Sequence, residues 1–301
     1  MSLLVTGSIG IDTVEAPSGR IEDALGGSSV YFAQAASFFT PVRLVGVIGD
    51  DCPNDFLKPL QDNPNIDLAG LEVRRGSRTF RWHGRYHDDI NVRDTVQVEL
   101  NVLAEAGPVI PEQFTDSEYV FLANTHPSLQ IELLGQLSRP KFVVADTMDL
   151  WIETERETLS DLLGRIDGLV LNDSEAKLLA GEPNLVATAE RIADMVRCFV
   201  VVKKGEHGSL LFADGRASPL PAYPAAKVID PTGAGDSFAG AMMGYLAAVD
   251  QVDLDTLRRA LAYGTVTASF CLEDFSLNRL RTVTRDQVET RMAEFEQWVS
   301  F

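Results

Sequence analysis

The stretch Val228-Ile229-Asp230-Pro231-Thr232-Gly233-Ala234-Gly235-Asp236-Ser237-Phe238-Ala239-Gly240 decides how this chain is read. It puts two glycines, an alanine and a carboxylate where a loop should become a helix. Small residues let backbone N–H groups approach an anion closely. A helix N-terminus adds orphan donors and partial positive charge. Asp236 at the edge of such a cradle is placed to act as a general base on an attacking hydroxyl. The helix dipole alone favours an acid near a helix start. That plainer account does not explain the flanking Gly233-Ala234-Gly235 or the small-residue run that follows. An anion cradle with a base at its edge is what phosphoryl transfer to an alcohol requires.

The rest of the chain must then supply a scaffold. Its 301 residues, 45% hydrophobic and 23% charged, are enough for one large α/β domain with an appendage. No apolar run approaches the roughly 20 residues of a membrane span. Met1–Gly7 lacks a basic segment and reads as a first strand, not a signal peptide. The cysteines, Cys52, Cys198 and Cys271, are odd in number and widely spaced, which fits a reduced cytoplasmic protein. The net charge of −18 argues against non-specific nucleic-acid binding. Most of these charges read as solvated surface. The histidines at 83, 87, 126 and 207 show no metal-ligand spacing with the cysteines.

Short apolar runs at 3–6, 42–48, 119–122, 142–145, 168–171 and 199–202 read as buried strands. Helical patterns lie between them near 27–39, 127–137, 153–164, 173–180 and 185–197, and the chain turns mostly helical from about 235. This alternation predicts a mostly parallel sheet covered on both faces. Residues 78–87 break the rhythm. Period-two alternation puts Phe80, Trp82 and Tyr86 on one side and Arg81, His83, Arg85 and His87 on the other. With residues near 12–24 this segment predicts a small accessory sheet whose aromatic face covers a ligand or meets a partner subunit. The arginines at 74, 75, 78, 81, 85 and 93 form a basic island, read either as a site for a phosphorylated substrate or as the wet side of a strand.

The 230–240 block resembles the C-terminal signature of the ribokinase-like, pfkB-type carbohydrate kinases. Gly7-Ser8-Ile9-Gly10-Ile11-Asp12, Gly26-Gly27-Ser28-Ser29, Gly46-Val47-Ile48-Gly49-Asp50-Asp51, Asn172-Asp173-Ser174-Glu175 and Lys204-Gly205-Glu206-His207-Gly208 extend the likeness over essentially the whole chain. The resemblance implies a single three-layer α/β/α domain over residues 1–301, with lid segments near 12–24 and 76–102. It implies Asp236 as catalytic base and the amides of Gly233, Ala234 and Gly235 as anion hole. Asp12, Gly26, Gly27, Phe80 and Trp82 are implied on the acceptor side. Asn172, Lys204, Gly205, Gly208 and Thr232 are implied on the ATP side. Asn172 and Glu175 would hold Mg2+ through water, and Asp230 a monovalent cation such as K+. Each has a plainer reading beside it: a helix cap for Asn172 and Glu175, a strand-to-strand turn for 204–208, a surface turn for Asp12, a turn before a helix for Gly26 and Gly27, helix entry for Asp230, and packing for the aromatics.

The chain departs from familiar members at Ser28-Ser29-Val30-Tyr31, where an asparagine often stands. It also departs at Asp50–Asn54, which lacks the usual glycine, and at Asp146–Trp151, which lacks an arginine. The acceptor is therefore ranked as a small sugar first, a nucleoside second and a sugar phosphate third. A ligand-binding homologue without turnover is the remote alternative. A homodimer through the lid is the family-like expectation, with neither nucleic acid nor membrane as partner.

Overall fold

The structure is a computed structural model that describes residues 1–53 and 55–300. Asn54, near the place where the resemblance implies a glycine, lies outside the described residues. The strands in chain order are β1 (Leu3–Thr6), β2 (Gly10–Ala16), β3 (Gly19–Gly26), β4 (Val42–Gly49), β5 (Ile66–Arg74), β6 (Phe80–Tyr86), β7 (Arg93–Glu99), β8 (Tyr119–Leu122), β9 (Phe142–Asp146), β10 (Gly168–Asn172), β11 (Phe199–Lys203), β12 (Ser209–Ala213) and β13 (Arg216–Leu220).

Nine of them form one sheet in the order β13-β12-β11-β10-β9-β8-β1-β4-β5. Neighbours from β5 to β11 run parallel, and β12 and β13 close one edge antiparallel. The continuous apolar runs of β1, β8 and β11 are buried on both faces, as parallel strands require. On one face lies a core that includes Phe32, Phe121, Met242 and Phe270. It packs beneath the helices Ser28–Ala36, Ala234–Val249 and Leu254–Cys271. On the other face Leu4, Val143, Leu171 and Ile192 belong to a second core. The three-layer α/β/α arrangement is the one the alternation predicts. The small residues of Ala234–Val249 have a packing cause: a side chain at Gly244 would stand 2.8 Å from the Ala36 carbonyl oxygen of the neighbouring helix.

A second sheet, in the order β3-β2-β6-β7, stands beside the first. Its β2–β6 pair is parallel, and β2–β3 and β6–β7 are antiparallel. The accessory sheet expected from 12–24 and 78–87 thus spans 10–26 and 80–99. The strands β5, β7, β12 and β13 are absent from the sequence reading. Three of them, β5, β7 and β13, alternate or lie exposed at sheet edges and offer no continuous apolar run. The single helix expected at 153–164 is two, Asp149–Thr154 and Arg156–Leu163, separated where Glu155 leaves helical geometry. Among the described residues no helix is long and apolar enough to cross a membrane.

Candidate active site

The site gathers at the carboxyl ends of the parallel strands, where open α/β sheets place their ligands. The helix Ala234–Val249 starts from Gly233, which is left-handed at φ 76 and ψ 0. A side chain there would run into the ring of Tyr31. Among the described residues the N–H groups of Gly233 and Gly235 have no acceptor. Ala234 differs from expectation: its N–H donates to the Pro231 carbonyl at 3.2 Å, so the free amides are those of the two glycines. Thr232 N–H is also occupied, by Asp230 Oδ1 at 2.8 Å.

Asp236 occupies the first turn, with part of its side chain open to solvent and protein packed closely around the rest. That packing raises its pKa, while the charges of Lys203 and Arg93 pull it back down. Lys203 closes β11, and its Nζ lies 2.8 Å from where a Gly235 side chain would begin. Asp146 closes β9 and is buried, with Oδ1 unpartnered among the described residues. Burial first, then the charge of Asp236, pushes Asp146 well above the carboxylate range.

Asp12 lies in β2, buried, with Oδ1 unpartnered. Burial, with Asp230 and Asp236 adding repulsion, pushes its pKa up to about 8 against the pull of the Gly27 N–H. A side chain at Gly26 would overlap Asp12 Oδ2, and one at Gly27, where φ is 105, would overlap the Ser8 carbonyl. The glycine pair thus brings backbone against the acid as well as leading into the helix Ser28–Ala36. Register places Asp12 beside Trp82, and Trp82 beside Val98. These side chains share the inner face of the small sheet with Phe80, Tyr86 and Arg93. Trp82 lies flat over Gly84 and donates from Nε1 to Thr95 Oγ1 at 3.3 Å. On the outer face Arg81 pairs with Asp51, and His83 and Arg85 with Glu15. Arg85 chiefly, through its hydrogen bond, holds Glu15 below its usual range. On the small sheet the basic island is therefore a paired outer face, with Arg93 on the inner one.

Two of the contacts between the small sheet and the main body border the site. Thr232 Oγ1 donates to the Tyr86 hydroxyl at 3.2 Å. Asn91 Nδ2 donates to Glu206 Oε1 at 3.3 Å, at the turn Lys204–Gly208. In that turn Gly205 and Gly208 are left-handed at φ 54 and 82, and Gly208 packs against the Leu220 carbonyl. Both glycines thus have a backbone cause, and Lys204 lies half-exposed beside them.

Asn172 caps the helix Asp173–Ala180 in a full capping box. Its Oδ1 accepts from Glu175 N–H, and Glu175 Oε2 accepts from Asn172 N–H, both at 2.8 Å. Glu175 Oε1 remains free among the described residues, and burial raises this acid's pKa against the pull of Lys203. No trio of His, Cys, Asp or Glu among the described residues is set to ligate a metal directly. One spare hard oxygen beside an amide fits a hydrated divalent cation held through water. Asp230 is buried, and its Oδ2 has no partner among the described residues, which fits a cation's need for oxygen. Cys271 is buried behind this loop, its thiol donating to the Thr232 carbonyl at 3.3 Å.

Lys203 and Asp146 escaped the sequence reading as site residues, and Arg93 was read only as one member of the basic island. The signal for the first two was a charge closing an apolar run at a strand's carboxyl end. The side of the sheet that Arg93 takes was not legible, because it depends on a register shift between His83 and Gly84.

A cradle of free amides with a carboxylate at its edge, under a second sheet, has the chemistry that phosphoryl transfer to an alcohol needs. Residues 138–281 match the family described as pfkB family carbohydrate kinase. A cytidine kinase of Thermococcus kodakarensis is 31% identical over 82% of this chain and 88% of its own length. Two solved structures share the fold. Burkholderia thailandensis nucleoside kinase with inosine has a TM-score of 0.77 at 19% identity, covering 99% of each chain. Arabidopsis thaliana ribokinase with ribose and ATP has a TM-score of 0.75 at 21% identity, covering 96% of this chain and 98% of that one. The chain belongs to the pfkB family of sugar and nucleoside kinases.

Proposed function

We propose that the protein transfers the γ-phosphoryl group of ATP to the primary hydroxyl of a nucleoside. Asp12, with two oxygens, accepts from adjacent ribose hydroxyls. That leaves the hydroxymethyl group directed at Asp236, which orients it and takes its proton. The Gly233 and Gly235 amides hold the transferring oxygens as charge develops. Glu175 and Asn172 would hold hydrated Mg2+, which when bound neutralises phosphate charge. Asp230 would hold a monovalent cation behind the anion loop. The Lys204–Gly208 turn would border the nucleotide, and the small sheet would exclude water.

The observation that carries this reading is the inner face of the small sheet, where Asp12 stands in register beside Trp82 and Val98 and close enough to Asp236 to feel its charge. Trp82 and Phe80 are half-buried on that face, and Val98 stands 51% exposed beside them. A free sugar, ranked first from sequence, would satisfy Asp12 but leave this surface wet. A base attached to ribose would cover it. The 31% identical relative, a cytidine kinase, points the same way.

The test is kcat/KM for a panel of nucleosides, ribose and fructose. Base–aromatic contact contributes about 1–3 kcal/mol, so the best nucleoside should exceed ribose by at least about tenfold. Trp82→Ala should remove most of that advantage. A free sugar that outperforms every nucleoside would overturn the assignment of acceptor.

A further inference from the structure

We infer that Lys203 and Arg93 form a two-cation clamp on the transferred phosphoryl group, one charge coming from the main sheet and the other from the lid. This rests on the phosphoryl-transfer reading above and adds two groups that lie outside the motifs quoted from the sequence.

Lys203 directs its ammonium at the cradle: Nζ is 2.8 Å and Cε 3.6 Å from the position of a Gly235 side chain. Arg93 opens β7 and lies across from Tyr86, whose hydroxyl meets Thr232 next to Gly233. Its guanidinium carbon is 5.4 Å from the centre of the Trp82 ring, which keeps the group over the inner face. From there its charge reaches both Asp236 and Glu175 and favours their ionised forms.

The pairing pattern sets Arg93 apart from the other arginines of the lid, Arg78, Arg81 and Arg85. The chain carries 44 acidic residues against 26 lysines and arginines. On the lid, Arg78, Arg81 and Arg85 each have a carboxylate within ion-pair distance. Among the described residues Arg93 has none within 4.0 Å, nor have Lys203 and Lys204, although the charges of Arg93 and Lys203 act on Asp236 and Glu175. Cations left without direct partners on an acidic chain, beside free amides, suit an anion that arrives from outside. In phosphoryl transfer the charge spreads over three equatorial oxygens, and cations act there with little covalent chemistry. Arg93 reaches that point only when the lid lies against the main sheet, so closure completes the reaction centre.

The experiment compares wild type with Arg93→Met, Arg93→Lys, Lys203→Met and Lys203→Arg, reading kcat, acceptor KM, ATP affinity without acceptor, and thermal midpoint. Each methionine variant should lose at least about 30-fold in kcat, within the range of lost transition-state donors. Arg93→Met should keep its acceptor KM and ATP affinity within about threefold, with an unchanged midpoint, and the charge-keeping variants should recover part of the rate. Methionine variants that lose less than about 30-fold in kcat overturn the clamp, as does an Arg93→Met defect confined to acceptor KM. A wild type that phosphorylates no sugar or nucleoside would instead bring down the reading beneath it.

Discussion

At Gly26 a side chain would occupy the space of Asp12 Oδ2, so one missing methyl group sets the geometry of the acid proposed to bind the acceptor. The acid is held at an energetic cost. Its pKa is pushed from 3.8 up to about 8, chiefly by burial. Between those values the unfolded chain has lost the proton and the folded chain keeps it. Folding is therefore favoured at the lower pH and loses stability as pH rises through this window. Asp12→Asn removes the titration, so its urea-derived unfolding free energy should fall less from pH 5 to pH 8 than that of wild type. An equal or steeper fall would show that Asp12 does not carry the proton. The residue was legible in sequence because it follows the first strand in a recognisable glycine-rich turn. Its burial and its closeness to Asp236 were not, since both come from strands far apart in sequence.

Among elements, the start of the helix Ala234–Val249 bears the most function. Gly233 is left-handed and lies against the Tyr31 ring, so Gly233→Ala meets both backbone strain and a steric clash. Left-handed backbone costs a non-glycine residue about 1–3 kcal/mol. The variant should lose at least about that much in a urea melt and lose transfer activity with it; unchanged stability and rate would contradict the described turn. This element was readable because loop chemistry, small residues and acid occur within nine positions, Thr232 to Gly240. The buried strands were readable for a similar reason, as short apolar runs between helical patterns. Edge strands such as β5 and β7 were not, because half their residues face solvent and their identity depends on pairing partners. The helix cap at Asn172 is one case where the plainer reading and the functional one hold together, since the capping box leaves Glu175 Oε1 spare.

At the scale of the molecule, a rigid parallel sheet presents acids and amides at its carboxyl edge, and a second sheet brings an apolar face and Arg93 over them. Tyr86 meets Thr232 at the anion loop, and Asn91 meets Glu206 at the expected nucleotide turn. The small sheet thus touches both the loop proposed to hold the phosphoryl group and the turn proposed to border the nucleotide. This arrangement was only partly legible: alternation showed an aromatic face, but which ligand it covers depends on the exposed Val98 and on a bulge. The account as a whole stands on Asp236 as the group that receives the hydroxyl proton. The most direct measurement is the single-turnover rate of phosphoryl transfer from ATP to the best acceptor, for wild type and Asp236→Asn, with nucleotide affinity measured in parallel. The account predicts a loss of at least about a thousandfold in rate with ATP affinity and fold retained. Transfer by Asp236→Asn within about tenfold of wild type would contradict it.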